Sequence, residues 1–370
     1  MSIGGLSHGL AGGRVPLWSI AAAALLVTAG FGKRPYTAPR PAGTTGGAPA
    51  EDGRGRSAAK PSDIPIPGWR DIVLRVYEGI SEDRILANAA AVTFYALLAL
   101  FPGIAALVSI YGLFADPGAI VSQLDAMSGI LPGGALDVIR DQLTHLTAQG
   151  SGKLGISLVI GLVISLWSAN GGIKALFDAL NVVYEEKEGR SFIRLNAVSL
   201  LFTIGMIAFL LLSLACVVAI PVALNYLPHV IGLIFDTARW PVLLLCVAVA
   251  LAFIYRYGPS RTDPRWGWVT WGSGFAALAW LVASALFSWY AANFVSWYAA
   301  NFGNFNKTYG SLGAIIGFMT WMWLSVIVIL VGAKLNAETE HQTARESTVG
   351  EPKPLGRRGA KMADTVGQTR

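Results

Sequence analysis

The stretch that decides the fold reads YGSLGAIIGFMTWMWLSVIVILVGAKLNAE and runs from Tyr309 to Glu338. Its first part, Gly310–Ala333, holds no charged residue and is slightly longer than the ~20 residues that cross the core of a bilayer as a helix. The polar residues Lys334, Asn336 and Glu338 follow at once. This arrangement predicts a membrane-spanning helix that emerges at a polar boundary.

Five similar apolar segments precede this one. They are predicted at Asn88–Ala115, Leu154–Lys174, Leu195–Leu224, Trp240–Tyr255 and Thr270–Phe294. The 370 residues are 54% hydrophobic and only 14% charged, with a mean hydropathy of +0.54, whereas a soluble domain carries roughly a quarter charged residues. The sequence therefore predicts an all-α protein: a polytopic transmembrane helical bundle with six core spans.

The distribution of Lys and Arg predicts the orientation of this bundle. Residues 54–84, 174–194, 256–268 and 333–370 hold six, four, three and seven basic residues, while the alternate loops hold two, one and one. Basic loops stay on the cytoplasmic side, so both termini of the six-helix core are predicted to be cytoplasmic. The net charge of +6 and the pI of 9.3 follow from this topology, and no nucleic-acid partner is expected.

The chain divides into four predicted regions. Residues 1–34 form an N-terminal extension whose short apolar segment, Val15–Gly30, is an extra span or anchor, a signal-like segment, or the product of a misplaced start codon. Residues 35–68 are predicted as a disordered cytoplasmic linker, 69–341 as the membrane domain, and 342–370 as a disordered basic cytoplasmic tail. An amphipathic helix beginning near Trp69 is expected on the inner leaflet.

Four blocks along the membrane domain resemble the YihY/BrkB family of bacterial inner-membrane proteins. They are AAAVTFYALLALFPGI (Ala89–Ile104), LWSANGGIKALFDALNVVY (Leu166–Tyr184), YRYGPSR (Tyr255–Arg261) and the stretch quoted above. The resemblance covers residues 69–341 and implies six spans in the bacterial cytoplasmic (inner) membrane. Family members are linked to envelope integrity and serum resistance, and one branch is linked to lipopolysaccharide or lipid export. An older ribonuclease label for the family is generally considered mistaken.

No residue pattern predicts an enzyme, a metal site or a cofactor. Cys216 and Cys246 both lie in apolar runs, and the four histidines are far apart in sequence. No paired nucleophile and base lies at a matching depth, and no GxxxxGK[ST] loop is present for ATP. We therefore expect no catalytic residues, no metal and no cofactor.

Polar residues inside the apolar segments are the candidate functional residues, because polar groups in a membrane are costly. The predicted lining of a transport pathway consists of Thr93, Tyr95, Asn170, Gly171, Gly172, Lys174, Asn336 and Glu338. Each has a structural alternative: hydrogen bonds between helices for Thr93 and Tyr95, and a helix end at the inner boundary for the Asn170-Gly171-Gly172 run.

Two further features concern charge. Members of the resembled family commonly read GAELNAE where this chain has GAKLNAE, so Lys334 stands where the family has an acid and is expected to pair with Glu338 one helical turn later. Arg256, Arg261 and Arg265 form a basic turn that is either a general membrane anchor or a contact for lipid headgroups.

An octet is written twice, as SWYAANFV at Ser288–Val295 and SWYAANFG at Ser296–Gly303. Trp289 and Tyr290 would lie about one bilayer thickness from Thr270, where aromatic rings are favoured. The second copy is interpreted as a tolerated duplication, with a modified outer gate as the alternative.

These observations lead to two hypotheses of function. The first is transport or export of a lipid or lipid-linked envelope component. The second is a non-catalytic membrane scaffold for envelope integrity that acts through partners. The expected partners are membrane lipids and proteins of envelope biogenesis.

Overall fold

The computed structural model describes residues 53–112, 154–214, 229–302 and 306–370. After a short 3-10 helix, Pro61–Asp63, the long helices are α1 (Ile66–Glu82), α2 (Ile85–Gly112), α3 (Leu154–Val183), α4 (Phe192–Leu214), α5 (His229–Tyr257), α6 (Trp266–Phe302) and α7 (Asn306–His341). A four-residue helix, α8, covers Lys361–Asp364. The described residues contain no strand beyond one isolated bridge between Pro264 and Thr348. The all-α prediction is confirmed.

Several of these helices are long and apolar enough to cross a membrane. Four segments qualify by length and composition: Phe192–Ser213, Trp240–Tyr257, Trp266–Asn293 and Ile315–His341. The bent pair of α1 with the first part of α2 makes a fifth if it is counted as one span. A multi-span membrane protein is therefore confirmed, whereas the count of six and the cytoplasmic placement of the termini remain predictions.

Helix α1 is amphipathic and turns sharply into α2. It begins after Pro65 with Pro67 in its first turn, where the missing N–H leaves no hydrogen bond unmade, and it ends at Glu82 with Asp83 as its C-cap. Arg84 then has a φ of 50°, a left-handed conformation that few residues other than glycine adopt. The axis of the first part of α2 is bent by 60° from that of α1. The face of α1 that carries Asp71, Ile72 and Arg75 is buried, whereas Val73 is exposed.

The core of the bundle forms where α2, α3, α5, α6 and α7 meet, with α4 packed on α3 and α1 packed on α7. Helices α6 and α7 cross closely at Gly272 and Gly332. A Cβ atom on Gly272 would lie only 2.2 Å from the carbonyl oxygen of Gly332, so no larger residue fits there without separating the helices. The outer faces are apolar: in the four spans only 11% to 28% of the residues are buried. Lipid is the natural covering for such a surface.

Two predictions of disorder are wrong for the residues described. Residues 342–370 are packed against the bundle: Gln342, Thr348 and Met362 are buried. The guanidinium of Arg358 donates to the carbonyl oxygens of Ala344 at 2.6 Å, Arg345 at 3.0 Å and Ala363 at 2.6 Å. Composition could not predict this order, because the backbone acceptors that hold Arg358 lie close to it only in the folded chain.

The same holds for the last part of the predicted linker. Ala58 and Ile64 are buried and pack against Ile72 of α1 and Trp268 of α6. The predictions for residues 1–52, including the short apolar segment, lie outside the described residues.

Candidate functional site

A buried network of charged side chains lies where the end of α7 meets α1. Lys334 Nζ lies 2.8 Å from Asp83 Oδ2 and 3.2 Å from Glu338 Oε1, and the predicted Lys334–Glu338 pair is therefore confirmed. Arg75 Nε donates to Glu338 Oε2 at 2.7 Å. Two cations and two carboxylates thus neutralise one another, which a buried position requires.

Arg75 also connects the network to the C-terminal segment. Its guanidinium donates to the side-chain oxygen of Gln342 at 2.7 Å and to the backbone oxygen of Gln368 at 3.0 Å. Lys334 lies against Gly79, where an added Cβ would be 2.3 Å from the lysine Cε, so the absence of a side chain on α1 makes room for the ammonium chain. Arg75 was not among the predicted site residues, because its partner Glu338 is 263 positions away in the sequence.

Asn336 joins two helices. Its Oδ1 accepts a hydrogen bond from the backbone N–H of Gly272 at 2.7 Å, and its Nδ2 donates to the carbonyl oxygen of Val269 at 3.1 Å. Both polar ends of this buried amide are satisfied by α6. The contacts therefore give Asn336 a structural role at the close α6–α7 crossing.

A second buried ion pair lies nearby. Arg261 donates to both carboxylate oxygens of Glu340, at 2.8 and 2.9 Å, and both side chains are 0% exposed. The guanidinium lies 4.2 Å from the ring centre of Tyr184. The hypothesis of a lipid-headgroup contact is wrong for Arg261, because its charge is enclosed and already paired.

The other two basic residues of this turn differ from Arg261. Arg265 is held by the C-terminal segment: its Nε donates to the carbonyl oxygen of Thr348 at 3.1 Å, and its backbone N–H donates to that of Ser347 at 2.8 Å. Arg256 is buried against aromatic rings, 4.4 Å from the ring centre of Trp266.

The loop between α3 and α4 carries a strong surface ion pair. Arg190 donates to Glu188 through Nε at 2.8 Å and Nη2 at 2.7 Å, and also to the carbonyl oxygens of Tyr257 and Gly258. The hydrogen bonds from Arg190 lower the pKa of Glu188 to about 2. The loop is thereby fastened to the end of α5.

A separate polar group lies between α3 and α4. Thr203 Oγ1 donates to Asn170 Oδ1 at 3.2 Å, and Lys174 Nζ donates to Asn196 Oδ1 at 2.6 Å. Asn170 and Lys174 are four residues apart and so share one face of α3. The Nδ2 atom of Asn170 is buried and has no acceptor among the described residues.

Helix α3 continues without interruption from Leu154 to Val183. The helix is therefore not unwound at Asn170-Gly171-Gly172, nor does it end there, and both interpretations of that run are wrong. Gly172 instead allows α2 to approach, since its Cβ would lie 3.3 Å from Ala96 Cα. Nothing lies within 4 Å of the corresponding position on Gly171.

The predicted lining residues are distributed over three helices. Thr93 is buried, and its hydroxyl donates to the carbonyl oxygen of Ala89 on the same helix at 2.7 Å, so its proton is used within α2. Tyr95 is exposed. Of the eight residues, Thr93 and Tyr95 lie in α2, the four from Asn170 to Lys174 lie in α3, and Asn336 and Glu338 lie at the end of α7.

Two surface cavities lie at the charged end of the bundle. One of about 240 Å³ is lined by Arg54, Ile66, Pro67, Arg70 and Arg370. The other, of about 460 Å³, is lined mainly by residues 53–65. Neither is lined by a predicted pathway residue. Within the described ranges, no group of three or more His, Cys, Asp or Glu residues could hold a metal ion.

The chain is similar in sequence to several bacterial proteins. The family model "Virulence factor BrkB" matches residues 76–355. The chain is 28% identical over 257 residues to the putative ribonuclease-like protein YfkH of Bacillus subtilis. The aligned region covers 68% of this chain and 88% of that protein. It is 27% identical over 289 residues to a UPF0761 membrane protein of Alkalilimnicola ehrlichii, which is 76% of this chain and 61% of the relative.

A UPF0761 membrane protein of Neisseria meningitidis is 24% identical over 297 residues, covering 76% of this chain and 65% of the relative. The chain thus spans less than two thirds of the length of these UPF0761 relatives. No solved structure matches.

Proposed function

The chain belongs to the virulence factor BrkB family, and from that premise we propose that it takes part in transport or export of a lipid or lipid-linked component of the bacterial envelope. The proposal rests chiefly on the polar group between α3 and α4. Asn170, Thr203 and Lys174 lie in long apolar helices, where a polar side chain costs free energy and is therefore a candidate for function.

The surroundings of this polar group suit a lipid substrate. Only 11% of the residues in the α4 span are buried, so the helix that carries Thr203 and Asn196 exposes most of its surface to lipid. A lipid headgroup moving along the α3–α4 face would meet the Lys174 ammonium and the buried amide of Asn170. Its acyl chains would stay in the bilayer.

The charged network at the end of α7 would act as a closure in this proposal. Arg75 and Asp83 come from α1 and its turn into α2, whereas Glu338 and Lys334 come from α7. A passage that opens at this end would have to separate these pairs. The proposed conformation is therefore one that is closed at the charged end.

A liposome assay tests this function. The purified chain would be reconstituted with a fluorescent phospholipid, and translocation between leaflets would be measured by chemical quenching of the outer leaflet. Asn170→Leu and Lys174→Met should abolish translocation. Asn293→Leu is the matched control, because Asn293 is an exposed amide that donates to the carbonyl of Trp289 on its own helix.

No translocation of any envelope lipid by the native chain, with unchanged leaflet composition in a strain that lacks the gene, would refute transport. A membrane scaffold is then the second candidate. It is favoured by the packing of residues 342–370 onto the bundle and by the two surface cavities, which no pathway residue lines. A scaffold predicts that Asn170→Leu and Lys174→Met still restore envelope integrity to the deletion strain.

We propose no ribonuclease activity, although the name of the Bacillus subtilis relative includes that word. Metal-dependent hydrolysis of RNA needs clustered carboxylate or histidine ligands, and the described residues bring no such group together. Incubation of the purified chain with labelled RNA and Mg²⁺ tests this directly, and cleavage that survives purification would contradict it.

A further inference from the structure

Arg256 is buried without the partners that the other buried arginines have. It is 8% exposed, and its Nε and Nη1 atoms have no acceptor among the residues that the structure describes. By contrast, Arg75 bonds to Glu338 and Arg261 bonds to Glu340. Arg256 is therefore a buried cation with two hydrogen-bond donors that no described residue uses.

An arginine in this state is costly. Burial removes the guanidinium from water, and a ring stacked on the cation returns only part of that desolvation penalty. The rings of Trp266 and Tyr257 lie 4.4 and 5.3 Å from the guanidinium and offset part of the cost. The carbonyl end of α5 offsets a little more. Neither contact occupies the N–H donors.

The position of Arg256 indicates the kind of ligand. It is the second-last residue of the span Trp240–Tyr257, and Trp266 is the first residue of the next span, Trp266–Asn293. Both therefore lie at the same membrane boundary, where lipid phosphates are found and where Trp and Tyr rings are favoured. Trp266 is 43% exposed, so the ring that covers the guanidinium is reached from that boundary.

We propose that Arg256 is the anion-binding residue of a membrane-boundary site that takes a phosphate group, with Trp266 and Tyr257 as its walls. The planar guanidinium suits two hydrogen bonds to one phosphate, and its charge compensates that of the anion. The phosphate belongs to a lipid headgroup or to a free phosphate. The site goes beyond the proposed function, because binding requires no transport.

Native mass spectrometry and thermal unfolding of the purified full chain test the proposal. Samples would be prepared in nanodiscs of phosphatidylglycerol and in nanodiscs of a neutral glycolipid without phosphate, each with and without inorganic phosphate. The variants are Arg256→Gln, which removes the charge, and Arg256→Lys, which keeps it. Arg194→Gln is the matched control, because Arg194 is an exposed arginine near the start of the neighbouring span.

We expect Arg256→Gln to weaken binding of phosphatidylglycerol about tenfold or more, the usual effect of losing a charged hydrogen bond. Arg194→Gln should change it less than about threefold, as a screened surface charge does. Arg256→Lys should bind with intermediate affinity. If Arg256→Gln does not fold, the native chain must still be stabilised more by phosphatidylglycerol than by the neutral lipid.

The added phosphate distinguishes the two sources. Stabilisation by inorganic phosphate in the neutral nanodiscs identifies a free anion, and its absence identifies the lipid headgroup. Equal phosphatidylglycerol binding by the native chain and Arg256→Gln would overturn the proposal. So would equal stability of the native chain in both nanodiscs with no response to inorganic phosphate.

Discussion

Removing one partner of the Arg261–Glu340 pair is the sharpest test of how the charged end of the bundle is built. Glu340→Gln keeps the shape of the side chain but removes its charge. The guanidinium of Arg261 then stays buried, with both side chains 0% exposed in the native fold, and loses the only carboxylate that bonds to it among the described residues. Leaving such a charge unpaired costs about 3–5 kcal/mol.

The double variant Arg261→Met with Glu340→Leu should be far less damaging. Replacing both ions by apolar side chains removes the unpaired charge, and such replacements are often close to neutral. Some loss is still expected, because the stacking of Arg261 on Tyr184 at 4.2 Å is worth about 0.5–2 kcal/mol. The double variant should thus be more stable than either single variant.

The measurement is the free energy of unfolding in mixed micelles, obtained by titration with a denaturing detergent. The Lys361–Glu185 pair supplies a matched control, since its atoms are slightly closer, at 2.6 Å, but its side chains are 51% and 41% exposed. Lys361→Met should cost only about 0–1 kcal/mol. If Glu340→Gln costs no more than Lys361→Met, the pair is hydrated and the argument from burial is wrong.

Three further predictions concern other parts of the molecule. Arg190 lowers the pKa of Glu188 from 4.5 to about 2, so the charged carboxylate stabilises the fold above about pH 4.5, and this contribution is lost as the pH falls toward 2. Glu188→Gln should therefore lose less stability than the native chain between about pH 4.5 and about pH 2. Equal slopes of unfolding free energy against pH for the two proteins would contradict this prediction. Gly272→Ala should destabilise the α6–α7 crossing by more than about 1 kcal/mol in the same detergent titration. Gly274→Ala, with nothing within 4 Å of its new Cβ, should be neutral or stabilising. Equal effects of the two substitutions would show that the crossing is not tight. Deletion of Ser288–Val295 should leave membrane insertion and complementation of a deletion strain intact, and a loss of complementation with normal insertion would favour an outer gate.

The apolar spans could be predicted from the sequence because hydropathy and helical length are local properties. Each of the six predicted segments overlaps a helix of the structure, from Ile85–Gly112 to Asn306–His341. The pairing of Lys334 with Glu338 was also predictable, since one helical turn separates them. The predicted boundaries differ from the structure in places: α3 extends to Val183, well beyond the predicted end at Lys174.

The candidate site depended on contacts between distant residues. Glu338 meets Arg75 across 263 positions, and Arg261 meets Glu340 across 79. No local pattern in the chain encodes these distances. The order of residues 342–370 was missed for the same reason, because their acceptors and apolar partners come together only in the folded bundle.

Hydropathy and helical length identify this chain as a helical membrane protein and locate most of its helices, and four sequence blocks show which family it resembles. Which charged side chains are buried, and which are paired, follows from the packing of helices that are distant in sequence. Arg256 and Arg261 belong to one short basic turn and cannot be told apart by composition. Packing places one between aromatic rings without a counter-ion among the described residues, and the other against a buried carboxylate. The physical reason is that desolvation and pairing depend on which helices meet, whereas hydropathy depends only on the order of residues along one helix.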